Sequence, residues 1–450
     1  MLHVQPAALA GAILFALNFA AHASQNLSSP THLNTLVLTA TGTHEKLSDV
    51  PARMNVIQAE QIEQSPIASF PQLMMTDASI NMVQSGGYGQ VSSLFLRGSE
   101  SDHTLILRNG VRLNNDANGL ASNSFLDTTE IERIEILKGP ASVLYGSNAI
   151  GGVVQIMTKT PSENAAFVST EVGEHQTYKT ILGVDVVEDG VYAQLRGQRM
   201  ETDGTKIFDY VGAPDSSYDQ KGFSGKFGYE REDFGVSLEH SENSGRSQYQ
   251  NFNWSDFVYQ AKAHDFLNQI TTLQGHYQLA DQTQVKARLS RFKDERTQLK
   301  TLEKTTYISD EYELNLSQQL SEHQNIMLGV NHKNLGTTTH KAVNPFEKQL
   351  ATTGYYAQHQ YQTDRVKTQL GVRLEDHEKY GSHTVAQAAV RYFVSPAWSV
   401  YSNIGSAFKA PTMNDLYYGD YANPELKPEE SVSYEVGTDW QINTAWNTGL

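Results

Sequence analysis

From about Ala165 onward this chain alternates apolar and polar residues one by one. Val366, Thr368, Leu370, Val372 and Leu374 interleave with Lys367, Gln369, Gly371, Arg373 and Glu375. Val432, Tyr434, Val436 and Trp440 interleave with Ser433, Glu435, Gly437 and Asp439, and Val191, Ala193 and Leu195 with Gln194, Arg196 and Gln198. A period of two puts successive side chains on opposite faces of a strand, so each strand has one apolar and one polar face. The apolar face must be covered, by a second sheet in water or by lipid in a membrane. The connections discriminate. Short turns near Glu188-Asp189-Gly190, Arg231-Glu232-Asp233, Ala280-Asp281-Gln282, Ser321-Glu322, Thr363-Asp364 and Ser395-Pro396 alternate with polar segments near 201–219, 243–266, 294–305, 336–349, 376–383 and 408–429. An up-and-down barrel makes short hairpins at its periplasmic rim and long ones at its outer rim. A sandwich has no reason to. The sequence predicts an antiparallel transmembrane β-barrel, with roughly fourteen strands on this template.

Composition agrees. The 450 residues exceed what one ordinary core organises. A net charge of -16 excludes a general nucleic-acid binder. With no cysteine, disulfide scaffolds, Cys-ligated zinc and thiol catalysis are excluded. The chain is rich in Tyr and Gly, as polar-lined barrels are. Residues 1–23 carry no Lys, Arg, Asp or Glu, and Pro6 to Phe19 form an apolar core. Ala21-His22-Ala23 supplies small residues before a cleavage site, so 1–23 read as a secretory signal peptide. The apolar run is shorter than the ~20 residues of a helical span.

Between Ser24 and Pro161 the texture is mixed α/β. Ala59–Ile62 and Phe70–Met74 read as short helix starts. Leu94–Gly98, Thr104–Leu107 and Ile134–Leu137 read as short strands, and glycines punctuate the whole.

Three sets of residues carry a family resemblance. Asn34-Thr35-Leu36-Val37-Leu38-Thr39-Ala40 resembles a TonB box, an extended β-branched segment able to add as a strand to a partner's sheet edge; on its own it also fits an ordinary first strand. Ile131 to Ile156, containing Ile134-Glu135-Ile136-Leu137-Lys138-Gly139-Pro140 and Gly151-Gly152-Val153, resembles a plug-domain signature, as does Leu96-Arg97-Gly98 followed by Ile106 to Arg112. Phe408-Lys409-Ala410-Pro411 and Asn423 to Glu429 resemble a late barrel segment. Together these are similar to the TonB-dependent outer-membrane receptors. Asn109 stands where that family usually has Asp.

The resemblance implies an all-β transmembrane barrel, 22-stranded when complete, with the mixed α/β plug in its lumen. The domains are then a signal peptide (1–23), a periplasmic segment with the TonB box Thr35–Ala40 (24–45), a plug (46–161) and a partial barrel (162–450). Its partners are the lipid bilayer and TonB, the inner-membrane energy coupler, with no nucleic acid. Roughly fourteen strands fall short of the ~22 of a plugged transporter, and Leu450 is not the terminal aromatic of family barrels. The expectation is therefore a C-terminally truncated chain. Arg97, Arg112, Glu132 and Glu135 are expected in structural ion pairs.

Within the family the resemblance is strongest to vitamin B12 (cobalamin) receptors, through Gly86 to Gly98. It places corrinoid contacts at Val91, Ser93, Glu100, Asn118 and Gly119. Ser93 keeps the residue type, Val91 is conservative, and the other three depart. It also implies structural calcium in an outer loop, at Asp203, Asp209, Asp215 and Asp219, where carboxylates spaced by Gly and Ser suit a hard cation. No cofactor is implied beyond that ion. The alternative cargo is a ferric siderophore. Haem is disfavoured because Thr412 to Ala422 contains no His. A passive porin or adhesin does not account for the plug and box. No catalytic set stands out, so an enzyme is not expected.

Overall fold

The computed structural model describes residues 35–450 apart from 66–68, 78, 115–117, 124, 210–212, 214, 254–256, 343, 421, 444–446 and 450. The expected signal peptide lies outside the described residues.

The plug runs β1 (Leu36–Val37), β2 (Glu45–Lys46), β3 (Arg53–Gln58), α1 (Ala59–Glu63), α2 (Phe70–Met74), β4 (Ile80–Gln84) and β5 (Ser92–Leu96). It continues through β6 (Thr104–Arg108), β7 (Val111–Arg112), β8 (Ile131–Lys138), α3 (Ser142–Tyr145) and β9 (Gly152–Thr158). Its central sheet has the order β3-β8-β9-β6-β7, with β6 and β9 parallel. The strand period splits its apolar residues between two layers. Ile106, Ile134, Ile136, Val154 and Ile156 pack with Phe70, Leu73 and Leu96 on one side. Leu105, Leu107, Leu137 and Val153 pack with Val37, Val50 and Met54 on the other. Asn109 (φ 49°) and Gly110 (φ 83°) make the positive-φ pair that a two-residue hairpin needs between β6 and β7. Asn109 Nδ2 also donates to Glu239 Oε2 on the barrel wall at 2.7 Å. An Asp at 109 would face that carboxylate with a like charge.

The rest is a single meander. Its strands are β10 (Ala165–Gly173), β11 (Thr177–Glu188), β12 (Val191–Thr202), β13 (Tyr218–Glu230), β14 (Phe234–Asn253), β15 (Val258–Ala280), β16 (Thr283–Gln298) and β17 (Lys304–Ser321). Then come β18 (Gln324–His340), β19 (Glu347–Gln362), β20 (Val366–His377), β21 (Gly381–Ser395), β22 (Trp398–Lys409), β23 (Glu429–Gln441) and β24 (Asn447–Gly449). Each pairs with the next in a 15-stranded sheet, and β10 and β24 have one neighbour each among the described residues. The count meets the expected fourteen once the 3-residue β24 is set aside.

The faces settle the solvent. Leu370, Val372 and Leu374 are 52%, 46% and 44% exposed, while Gln369, Arg373 and Glu375 between them are 2–3% exposed. Apolar out and polar in is the lipid-facing arrangement.

The outer connections depart from expectation. Only 203–217 and 410–428 are long; the first, 174–176, and that at 378–380 are tight. Most of 243–266 and 294–305 is strand, because β14 has 20 residues and β15 has 23. A tilted membrane strand needs about 9–11. Polarity there marks strands that run on past the bilayer and keep their ladder bonds, with Ser247 and Gln250 buried on the inner face.

Plug and barrel meet mostly through polar groups. Arg97 pairs with Glu435 at 2.5 Å and Arg108 with Glu239 at 2.6 Å. Apolar joints occur where Ile270 and Phe292 enter the first plug layer, and where Val143 meets Val385 and Phe408.

Candidate functional site

The expected substrate contacts all lie on the outward side of the plug, held by two different barrel sectors. The tip between β4 and β5, residues 85–91, reaches the outer ends of β13 and β14. There Tyr88 stacks on Tyr218 with ring centroids 6.1 Å apart. Gln90 Nε2 donates to Ser247 Oγ, which in turn donates to the Tyr88 carbonyl at 3.2 Å. Gly89 (φ 73°) is required here, since a Cβ would strike the Tyr218 ring. Val91 is exposed and Ser93, paired with Val83, is half-buried.

Glu100, Asn118 and Gly119 form the second group, under β22 and β23. Glu100 precedes a single 3-10 turn, Ser101–His103. Asp102 pairs with Lys409 at 2.6 Å and His103 with Glu429 at 2.8 Å. A Cβ on Gly119 would stand 3.1 Å from the Asp102 Cβ and 3.0 Å from Thr412. Asn118 is exposed and accepts from the Leu120 amide. Asp102 and His103 were not foreseen. The pairs that bring them here join residues more than 300 positions apart, so only the barrel register could have shown them.

The calcium candidates do not gather. Asp203, Asp209 and Asp215 are exposed, and Asp219 lies 3.6 Å from Arg199. The only group of three metal-capable side chains within 4.8 Å of one another, among the described residues, is Glu100, Asp102 and His103. The loop is packed instead on the plug tip, with Ile207 against Gly86 and Ser216 against Gly87.

The box differs from a plain extended strand. Only Leu36 and Val37 are strand, antiparallel to β2, while 39–41 turn. The cause is Glu135, which is fully buried and whose Oε2 accepts from Leu38 N at 3.0 Å, Thr39 N at 2.8 Å and Thr39 Oγ1 at 2.7 Å. Gln369 Nε2 adds a bond to the Ala40 carbonyl at 3.0 Å. Val37 and Ala40 belong to the second plug layer, so plug packing begins before residue 46. The expected ion pairs are present: Arg97 with Glu435, Arg112 with Glu311, and Glu132 and Glu135 with Arg133.

Glu45 lies on the strand that pairs with the box, and through it this docking is expected to depend on pH. Burial pushes its carboxyl up to about 7. A folded value above the unfolded one means that the docked state holds the extra proton. The stabilisation is therefore complete below the unfolded value and fades as pH rises toward 7, by up to ~3 kcal/mol. A spin label near Leu36 is expected to gain mobility between pH 5 and 8, and Glu45→Gln to abolish the change. Mobility flat with pH in the native chain would refute this.

A family profile described as TonB-dependent Receptor Plug Domain matches residues 46–153, and one described as TonB dependent receptor-like, beta-barrel matches 177–450. The chain is 29% identical to the vitamin B12 transporter BtuB of Photobacterium profundum over a 481-residue alignment, covering 94% of this chain and 70% of that protein. It is 28% identical to the vitamin B12 transporter BtuB of Vibrio cholerae, covering 98% and 74%. The fold superposes on the ferric enterobactin receptor PfeA of Pseudomonas aeruginosa with a TM-score of 0.75 at 16% identity, covering 92% of this chain and 72% of that one. The siderophore receptor PirA of the same organism gives 0.70 at 19%, covering 88% and 73%. Plug, lipid-facing barrel and both profile matches agree: the chain belongs to the TonB-dependent receptor family, a family of outer-membrane transport receptors.

Proposed function

We propose that this receptor takes up cobalamin across the bacterial outer membrane, driven by TonB acting on residues 35–40. The observation that carries the substrate is similarity to vitamin B12 transporters along 94–98% of the chain. The likeness to siderophore receptors lies below 20% identity and bears on the fold alone. The outward plug surface supports the reading in kind: Val91 offers apolar contact, while Ser93, Glu100 and Asn118 offer hydrogen bonds, as a large polar macrocycle with apolar edges requires.

Radiolabelled cyanocobalamin is expected to bind outer membranes carrying the receptor saturably, and a panel of ferric siderophores is not. Tight binding of a ferric siderophore without cobalamin binding would replace the substrate. Calcium enters the same reading through the 203–219 loop, whose exposed Asp203, Asp209 and Asp215 a hard cation would have to draw together. EGTA is expected to expose that loop to protease and to weaken cobalamin binding severalfold. Binding and cleavage indifferent to EGTA would leave the plug-tip contacts as the sole support of the loop.

A further inference from the structure

Two cavities between plug and barrel share one wall. The lower one, of about 720 Å³, extends from the short turns at Gly190 and Gly235 up to Arg112 and Glu311. Its plug side includes Leu38, Gly42 and His44 of the box segment. The upper one, of about 70 Å³, lies inward of Gly119 and Thr412 and reaches down to Arg112 and Lys333. Arg112 lines both.

Its buried guanidinium bridges three parts of the molecule. Nη1 donates to the Ser147 carbonyl at 3.1 Å, Nη2 to the Tyr145 carbonyl, and Nε lies 3.1 Å from Glu311 on β17. Together they join the β6–β7 hairpin, the turn after α3 and the barrel wall. The turn itself is seated closely, since Gly146 (φ 68°) packs on Arg373 and Glu375.

The same turn is tied to the box. The Tyr145 hydroxyl donates to the Thr39 carbonyl at 2.9 Å. One residue thus gives its hydroxyl to the box and its carbonyl to Arg112. Drawing Thr39 out breaks the first bond. It also removes Leu38, Gly42 and His44 from the lower cavity's wall and so enlarges it. An arginine shared between backbone carbonyls and a carboxylate keeps a partner when the turn shifts, because Glu311 remains.

We propose that the two cavities are successive parts of one path for a water-soluble cargo, that Arg112 is the partition between them, and that Tyr145 couples this partition to the box. The walls fit such a cargo: Lys286, Arg288, Glu313 and Asn331 line the lower part. The inference rests on energised uptake, and its main test does not require that the cargo be cobalamin.

The chain has no cysteine, so a single introduced thiol reports alone. Met157→Cys places one in the lower cavity. Labelled from outside with a charged, membrane-impermeant maleimide and without energy, this receptor is expected to react slowly. Adding Arg112→Ala is expected to raise the rate by about tenfold or more, the effect of losing at least one hydrogen-bonded closure. Arg112→Lys keeps a charge for Glu311 but has one nitrogen, and should raise it less. Tyr145→Phe should leave labelling slow, cut energised uptake by about tenfold, and leave cross-linking of the box to TonB intact. Native labelling rates in both Arg112 variants, with normal heat-modifiability, would overturn the partition. Native uptake in Tyr145→Phe would overturn the coupling. Failure of cobalamin binding with faster labelling of Arg112→Ala would reject the substrate and keep the partition.

Discussion

Glu135→Ala is expected to free residues 36–41 from the underside of the plug and to cost the plug roughly 3–5 kcal/mol, the penalty for removing one member of a buried charged cluster. Glu135 is fully buried, and one of its oxygens serves three donors of the box while the other accepts from Arg133 Nε at 2.8 Å. Truncation leaves two backbone amides and a hydroxyl facing a hole, at ~1–3 kcal/mol each if they stay dry. Arg133 keeps Glu132, at 2.8 Å, so the cost concentrates on the box. The segment escapes that cost by leaving its seat, which is why release and destabilisation belong together. A lowered melting transition and a mobile label at Leu36 are the expected readings. Glu135→Gln preserves volume and one acceptor and should sit between variant and native. A Glu135→Ala receptor with native melting and an immobile Leu36 would show that the apolar contacts of Val37 and Ala40 hold the box unaided.

Leu36→Pro is expected to lower energised uptake by tenfold or more, about what one lost ladder bond of ~1.4 kcal/mol implies, while leaving substrate binding at the cell surface unchanged. The structure explains the selectivity. Leu47 N donates to the Thr35 carbonyl at 2.8 Å, so Thr35 and Leu47 form a hydrogen-bonded pair of the antiparallel ladder. The next pair, Leu36 with Lys46, is then a non-bonded one, and the Leu36 amide faces away from β2. Proline there spares the existing ribbon and deletes the donor an added strand would use. Leu36 is also 54% exposed, so little packing is lost. Uptake at the native rate would exclude strand addition at this edge.

What the sequence revealed follows physical range. Strand alternation is local, so Leu370, Val372 and Leu374 announced a lipid-facing wall before any fold was known. The motifs around Ile134 and Gly151 marked the plug because tight turns and two-sided burial leave dense local signatures. Turn chemistry was equally legible, as at Glu188-Asp189-Gly190 between β11 and β12. Polar composition at the outer rim suggests loop, whereas β14 and β15 run on as strands past the bilayer. The β-branched residues of the box favour an extended state; the bend at 39–41 comes from Glu135, nearly 100 positions away. Asp102 and His103 are hidden for the same reason, since Lys409 and Glu429 meet them only through the way the sheet curves around the plug.

The polar seam between plug and wall has a consequence for wear. When the exposed Arg97 leaves Glu435, water can take the place of the lost partner, so parting the surfaces there costs little and re-seating them needs no search. A greasy seam would behave otherwise: exposed apolar faces would stick to whatever came first. Small apolar spots interrupt the polar seam, among them Ile270 with Phe292 and Val143 with Val385 and Phe408. They act as bearings, fixing where the insert returns, while the surrounding charges act as lubricant. Such a joint is suited to many strokes, each leaving the insert's own apolar layers closed.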